Sequence, residues 1–85
     1  MIQDDNKEQQ GTVAMHLSSD TGISRTLILE PWGMRYELHP DSPVQVVFRG
    51  PKDPVIEVVT GSTEITVHGW TGSIVTVYRD GTELD

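Results

Sequence analysis

The sequence predicts an all-β domain, and three observations support this fold class. Apolar and polar residues alternate with a period of two along most of the chain, which is typical of half-buried strands. Clusters of Gly, Pro, Asp and Ser interrupt the alternation at intervals of about ten residues, as in small sandwiches and barrels. No stretch has apolar residues at the three-to-four spacing of an amphipathic helix over two turns.

The first half of the chain contains four predicted strands. Thr12–Leu17 alternates regularly, and Ile23–Glu30 contains the run Leu27-Ile28-Leu29, which indicates burial on both faces. Met34–His39 and Val44–Arg49 alternate again. The segments between these strands have the composition of turns: Ser18–Gly22, Pro31–Gly33 and Pro40–Pro43.

The second half continues the pattern. Val55–Thr60 is a nearly continuous β-branched run, Glu64–His68 alternates, and Ser73–Arg79 is rich in Ile, Val, Thr and Tyr. Asp80-Gly81 is typical of a two-residue hairpin turn, so 82–85 is predicted to return as a short edge. Because the connections are short and neighbouring segments tend to pair, we expect six or seven strands in an antiparallel meander that forms a small sandwich or barrel.

The chain is long enough for one domain. Residues 1–11 are polar and aperiodic after Ile2, so we expect a disordered acidic tail there and a single β-domain over 12–85. Several strands carry apolar residues on both faces, for example at Val47 and Val58. This surplus favours two-sided packing, barrel closure or a homodimer interface.

Charge narrows the classes of partner. Thirteen acidic and six basic residues give a net charge of −7, and the basic residues are scattered. Nucleic acids and anionic bilayers both require clustered cations, so we expect neither as a partner. The chain has no Cys, which excludes disulfides and thiolate zinc sites. Residues 1–5 lack the basic flank and apolar run of a secretory signal, and we expect a cytoplasmic protein.

Both tryptophans of the chain lie in predicted turns, Trp32 after Pro31 and Trp70 after Gly69. An indole at such a corner either closes the end of the core or forms an exposed platform for a sugar or a peptide. We take Trp32, Trp70, Glu30 and Tyr78 as candidate ligand-binding residues. Glu30 is next to the first tryptophan turn, and the phase of Tyr78 permits either face of its strand.

The sequence contains no catalytic motif, and we expect neither catalytic residues nor a cofactor. His16, His39 and His68 are candidate metal ligands only if three separate segments converge, because no H-x-H or HExxH pair fixes two ligands locally. Glycosidase chemistry requires two carboxylates across a cleft. A serine nucleophile of the hydrolase type requires a G-x-S-x-G turn, which the sequence lacks. A non-enzymatic protein is therefore favoured.

Five short motifs carry a resemblance to other proteins: L-E-P-W-G (29–33), Y-E-L-H-P-D-S (36–42), V-x-V-V-F (44–48), H-G-W-x-G-S (68–73) and V-Y-R-D-G (77–81). Their order over residues 25–84 resembles small uncharacterised bacterial all-β proteins, a resemblance that implies a fold and no activity. The segment from Tyr36 to Val44 is also similar to the strand-turn-strand of cupin-like half barrels. The cupin metal motif, an H-x-H with a downstream Glu, is missing.

The leading functional hypothesis is a small non-enzymatic β-domain that acts as a protein-interaction or regulatory module, of an accessory, antitoxin or immunity type. Its partner would be another protein or a second copy of the chain in a homodimer. One alternative is the binding of a carbohydrate or another small ligand through the turn tryptophans. The other is a small cupin-like metal-binding enzyme that uses the three histidines.

Overall fold

The computed structural model describes residues 10–20 and 22–84, which form eight strands in two four-stranded sheets. The strands are β1 (Gln10–Leu17), β2 (Arg25–Glu30), β3 (Met34–Leu38), β4 (Val44–Pro51), β5 (Glu57–Thr60), β6 (Glu64–His68), β7 (Ile74–Arg79) and β8 (Thr82–Leu84). The predicted all-β class and the sandwich arrangement are confirmed. The count is eight instead of six or seven, because the last segment pairs with β7 as a strand.

Sheet A has the strand order β1-β4-β7-β8, and every neighbouring pair is antiparallel. β1 pairs along the whole of β4, beginning with Gln10 opposite Pro51. Between β7 and β8, Asp80 and Gly81 have φ values of 53° and 79°. Two consecutive positive φ angles are the geometry of a type I′ turn. The hairpin predicted at this dipeptide is therefore confirmed.

Sheet B has the order β3-β2-β6-β5 and contains a parallel pair, β2 with β6. This differs from the predicted antiparallel meander. Among the described strands, only β2–β3, β5–β6 and β7–β8 are hairpins, and the other connections cross between the sheets. Crossing is favoured because each short strand has an apolar face that only a second sheet can cover. β2 and β6 begin at the same end of the sandwich and run in the same direction.

The core lies between the two sheets and is built from inward side chains of both. Its fully buried members are Leu27, Leu29, Leu38, Val44, Val46, Phe48, Val67 and Val77. Val47 is also buried, although alternation places it on the outer face of sheet A. Val58 differs, because β5 is an edge strand and leaves this side chain 45% exposed.

The first strand begins earlier than predicted. Gln10 and Gly11, which we assigned to the disordered tail, are the first two residues of β1. They join the strand because β4 extends to Pro51 and offers them pairing positions, with Gly11 opposite Gly50. The rest of the predicted tail, residues 1–9, lies outside the described residues.

The two ends of the sandwich are closed differently. At one end, here called the arginine end, Arg25 Nε donates to the carbonyl of Gly61 at 3.3 Å and Nη1 donates to the hydroxyl of Ser19 at 3.2 Å. These bonds join the β1–β2 connection to the segment after β5. The opposite end, the tryptophan end, contains Trp32 and Trp70.

The sandwich also has two lateral sides, each formed by one edge strand of each sheet. The β1/β5 side is defined by the approach of Gly11 to Pro54, whose Cδ would lie 3.0 Å from a Cβ at Gly11. The β3/β8 side is defined by Arg79, next to β8, whose Nη2 donates to the carbonyl of Glu37 on β3 at 2.6 Å. Within residues 10–20 and 22–84, no helix has the length and apolar character needed to cross a bilayer.

Candidate functional site

Both tryptophans pack against one core residue, Phe48. The ring centroids of Trp32 and Phe48 are 6.1 Å apart, and those of Phe48 and Trp70 are 6.3 Å apart. These separations lie within the range of favourable aromatic pairs. Each indole is half-buried, so both act as lids on the same end of the core while part of each remains exposed.

Trp32 lies against the backbone of Gly69. A Cβ added at Gly69 would be 2.6 Å from Cη2 of Trp32 and 2.8 Å from Oγ of Ser73. No side chain fits into that space without displacing a neighbour, so the close approach requires glycine. The amide of Gly69 donates to the carbonyl of Glu30 at 2.9 Å, which ties the second tryptophan turn to the end of β2.

Trp70 is held by hydrogen bonds at both its ring and its backbone. Its indole Nε1–H donates to the carbonyl of Pro51 at 2.9 Å. Its own carbonyl accepts from the hydroxyl of Ser73 at 2.6 Å and from the amide of Ser73 at 3.0 Å. The ring is therefore oriented between the end of β4 and the turn that precedes β7.

An open groove with a volume of about 760 Å³ lies beside Trp70. It is bordered by the β4–β5 connection, the first residue of β5 and the β6–β7 turn. Its apolar lining residues include Val55, Ile56 and Trp70. Its charged or polar lining residues include Lys52, Glu57 and His68. A concave apolar surface with a few polar groups at its border is the usual form of a binding site.

The groove continues into the free edge of sheet B. β5 is the last strand of that sheet, and it has no neighbour beyond β6 among the described residues. Val55, Val58 and Val59 are 71%, 45% and 59% exposed. An apolar free edge of this kind offers backbone amides and carbonyls to another extended chain.

His68 lies between two carboxylates on the outer face of sheet B. It is opposite Glu30 of β2 and Glu57 of β5 in the strand register. Its Nδ1 is 3.0 Å from the carbonyl of Gly69. Neither Glu30 nor Glu57 forms an ion pair with another described residue. These three side chains form a polar border between the groove and the outer face.

The structure brings together three of the four candidate ligand-binding residues. Trp32, Trp70 and Glu30 lie at the tryptophan end, and of these only Trp70 lines the groove among the described residues. Tyr78 is opposite Gln45, near the beginning of β4, so it lies roughly 20 Å along the strand from the groove. It borders a separate small cleft near the arginine end.

Sequence reasoning missed most of the groove. Lys52, Val55, Ile56 and Glu57 join Trp70 only because the β4–β5 connection folds beside a turn that is distant in the sequence. One signal for them was available. The run Val55–Thr60 has more apolar residues than a four-residue edge strand can bury.

The three histidines lie apart. His16 is exposed on β1, and His39 follows β3 with its Nδ1 2.9 Å from the hydroxyl oxygen of Ser24. His68 ends β6. Across the described ranges, no group of three or more His, Cys, Asp or Glu residues has the geometry to hold a metal ion. The structure therefore does not assemble the three-histidine site that the sequence left open.

Ser24 and His39 have the spacing of a nucleophile and its base. The serine is exposed, and in the described part of the chain no hydrogen bond joins the imidazole to a carboxylate that would orient it. The contact is that of a surface hydrogen bond between the β1–β2 connection and the end of β3.

No protein-family model, no curated protein and no solved structure was found to match the chain.

Proposed function

We propose that this protein is a non-enzymatic interaction module that binds an extended segment of another protein along β5, with one apolar side chain of that segment seated in the groove. One observation carries the proposal. The free edge of β5, with its exposed valines, borders the groove that contains Trp70.

Strand addition explains how such a surface gains affinity and specificity. The backbone of the bound segment pairs with the free amides and carbonyls of β5, and this pairing does not depend on sequence. Alternate side chains of the segment then point to one face, where pockets select among them. Ile56 and Trp70 supply the apolar part of such a pocket.

The charged residues at the border favour a segment that carries both apolar and cationic side chains. Glu57 lines the groove and is the first residue of β5, and Glu30 lies beyond His68 in the same row. Both carboxylates lack an ionic partner within the described residues. The net charge of −7 adds a long-range attraction for basic segments.

A synthetic peptide that alternates Val with Lys and Thr is the probe. Its binding is expected to change the fluorescence of Trp70 and to slow amide exchange at Val58–Thr60, while exchange at Met34–Leu38 stays the same. Slow exchange is expected because the free amides of β5 gain partners. If neither signal changes at saturating peptide, the proposal fails.

Val59→Lys tests the surface directly. Val59 is 59% exposed on the outer face, so the change leaves the core intact, and the added cation is expected to weaken peptide binding about tenfold by repelling the basic segment. Thr76→Lys is the matched control, because it adds the same charge on the outer face of sheet A, away from β5. Equal losses in the two variants would contradict the assignment to β5.

A carbohydrate ligand is the second candidate, and the position of Trp70 favours it. The indole lines the groove next to Glu57 and His68, which are suitable hydrogen-bonding partners for sugar hydroxyls. Titration with soluble glycans, followed by tryptophan fluorescence in the wild type and in Trp70→Phe, distinguishes the two candidates. A response to glycans that disappears in the variant, with no response to the peptide, selects the carbohydrate.

A further inference from the structure

β1 is the longest free edge of the described sandwich. It has eight residues, compared with five in β3, four in β5 and three in β8. Natural edge strands are commonly protected by charged side chains, by proline or by short length. Gln10–Leu17 contains no Asp, Glu, Lys, Arg or Pro, so β1 has none of these protections.

The inward side chains of β1 are incompletely covered. Met15 and Leu17 point towards the core, yet both remain half-buried. The paired inward positions on β4, Val46 and Val44, are 0% and 1% exposed. The difference lies in the number of neighbours, because among the described strands β4 has one on each side and β1 has one in all. A further strand next to β1 would cover the exposed flank.

We propose that this strand is β1 of a second copy of the chain, which makes the protein a homodimer with one continuous eight-stranded sheet. The proposal goes beyond the binding function assigned to β5, since it concerns the edge of the other sheet. The two edges belong to different sheets, which pack roughly 10 Å apart, and they lie on the same lateral side of the sandwich.

Charge favours a second copy as the occupant. Two copies that each carry a net charge of −7 repel each other at most surfaces. β1 contains no Asp, Glu, Lys or Arg, whereas each of the other three edge strands contains at least one Glu. An antiparallel pair related by a two-fold axis near Ala14 brings Thr12 of one copy opposite His16 of the other. Such a pair is isologous and closes as a dimer.

Sedimentation of the full chain over a wide range of concentration is the test. The wild type is expected at twice the chain mass, with amide exchange at Gln10–Leu17 slowing as the concentration rises. A wild type that stays at the chain mass, or exchange that does not depend on concentration, overturns the proposal. The exchange measurement needs no variant and remains decisive if a substitution prevents folding.

The double variant Thr12→Lys with Ala14→Lys locates the interface. Both positions are exposed on the outer face, and two-fold pairing places the new cations close together. The dissociation constant of the dimer is expected to rise roughly tenfold or more. Lysine lowers the net negative charge, so general repulsion between copies cannot explain a loss. A double variant that still forms the wild-type dimer overturns the proposal.

Two control variants separate β1 from other surfaces. Thr76→Lys introduces a cation on the same face of sheet A, in the row that runs from Ala14 through Val47, but away from the edge. Val59→Lys introduces one on β5. Both are expected to remain dimeric. A monomeric Val59→Lys overturns the assignment to β1 alone, whereas a wild-type dimer that fails to bind the peptide rejects the proposed function and keeps the dimer.

Discussion

The two lateral sides of the sandwich are built from the same kinds of strand but are protected to different degrees. On the β3/β8 side, β3 carries Arg35 and Glu37, and β8 has three residues. Arg79 also bridges the two sheets there, through its hydrogen bond to the carbonyl of Glu37. On the β1/β5 side, β1 carries no charged residue and β5 exposes two valines.

This difference shows where the fold resists pairing with other chains and where it allows pairing. Charges and short strands are features that prevent edge-to-edge association; they protect both edge strands of the β3/β8 side, but only β5 on the other side. The opposite side lacks them over the whole length of β1, although an acidic chain has many carboxylates available. Both proposals of binding therefore concern the β1/β5 side, with the groove at its tryptophan end.

The largest expected difference between the sides is in core truncation. Leu38→Ala on β3 removes a fully buried side chain and is expected to lower the free energy of unfolding by about 3 kcal/mol. Met15→Ala on β1 removes a half-buried one and is expected to cost about 1 kcal/mol. Both are measured by denaturant unfolding in the Thr12→Lys, Ala14→Lys background, so that a second copy does not cover Met15. Equal losses would mean that the β1/β5 side is as closed as the other.

A pair of glycine substitutions gives the next largest difference. Gly69→Ala places a Cβ against Trp32, the residue that leads into β3, and is expected to destabilise the fold by about 2 kcal/mol through overpacking. Gly61→Ala, just after β5, meets only the carbonyl of Glu64 at 3.5 Å and is expected to change stability by less than about 0.5 kcal/mol. Thermal unfolding of both variants measures the contrast. A harmless Gly69→Ala would show that Trp32 moves freely.

The smallest expected effect concerns two arginines near β3. Arg79→Met keeps the aliphatic stem but removes the hydrogen bond to Glu37, and we expect a loss of about 1 kcal/mol. The expected loss is small because the variant also removes Arg79 Nε, a buried donor that has no hydrogen-bond partner among the described residues. Arg35→Met breaks an ion pair with Glu64 that is exposed and 3.6 Å long, and the expected change is below about 0.5 kcal/mol. If Arg79→Met costs no more than Arg35→Met in chemical unfolding, the bridge by Arg79 does not stabilise this side.

Local pattern predicted the strands well, because a strand at the surface of a sandwich alternates whatever its neighbours are. The Asp80-Gly81 hairpin was predictable for a similar reason, since two positive φ angles restrict the residue types. Strand order was not predictable in this way. Val55–Thr60 has the composition of a buried strand, yet β5 lies at an edge, because position in a sheet depends on pairing with distant residues.

The candidate site was predicted only in part, because the residues that were missed also depend on contacts between segments that are distant in sequence. Trp70 was singled out because a large aromatic residue in a turn must either cover the core or face solvent. Lys52 and Ile56 were not, because nothing in their own segment indicates that the β4–β5 connection lies beside the second tryptophan turn. The Pro51 carbonyl that accepts the indole hydrogen bond is equally distant in sequence.

The parallel pairing of β2 with β6 has a consequence for synthesis on the ribosome. Thr26 pairs with Glu64, so the middle of sheet B is incomplete until most of the chain has been made. β1 likewise waits for β4, and β4 for β7. Contacts between distant segments slow folding, and a strand stays unpaired and exposed until its contacts have formed. A nascent chain that stops before β6 therefore has β2 without its inner neighbour, and the domain acquires its native sheets only after β6, β7 and β8 have been made.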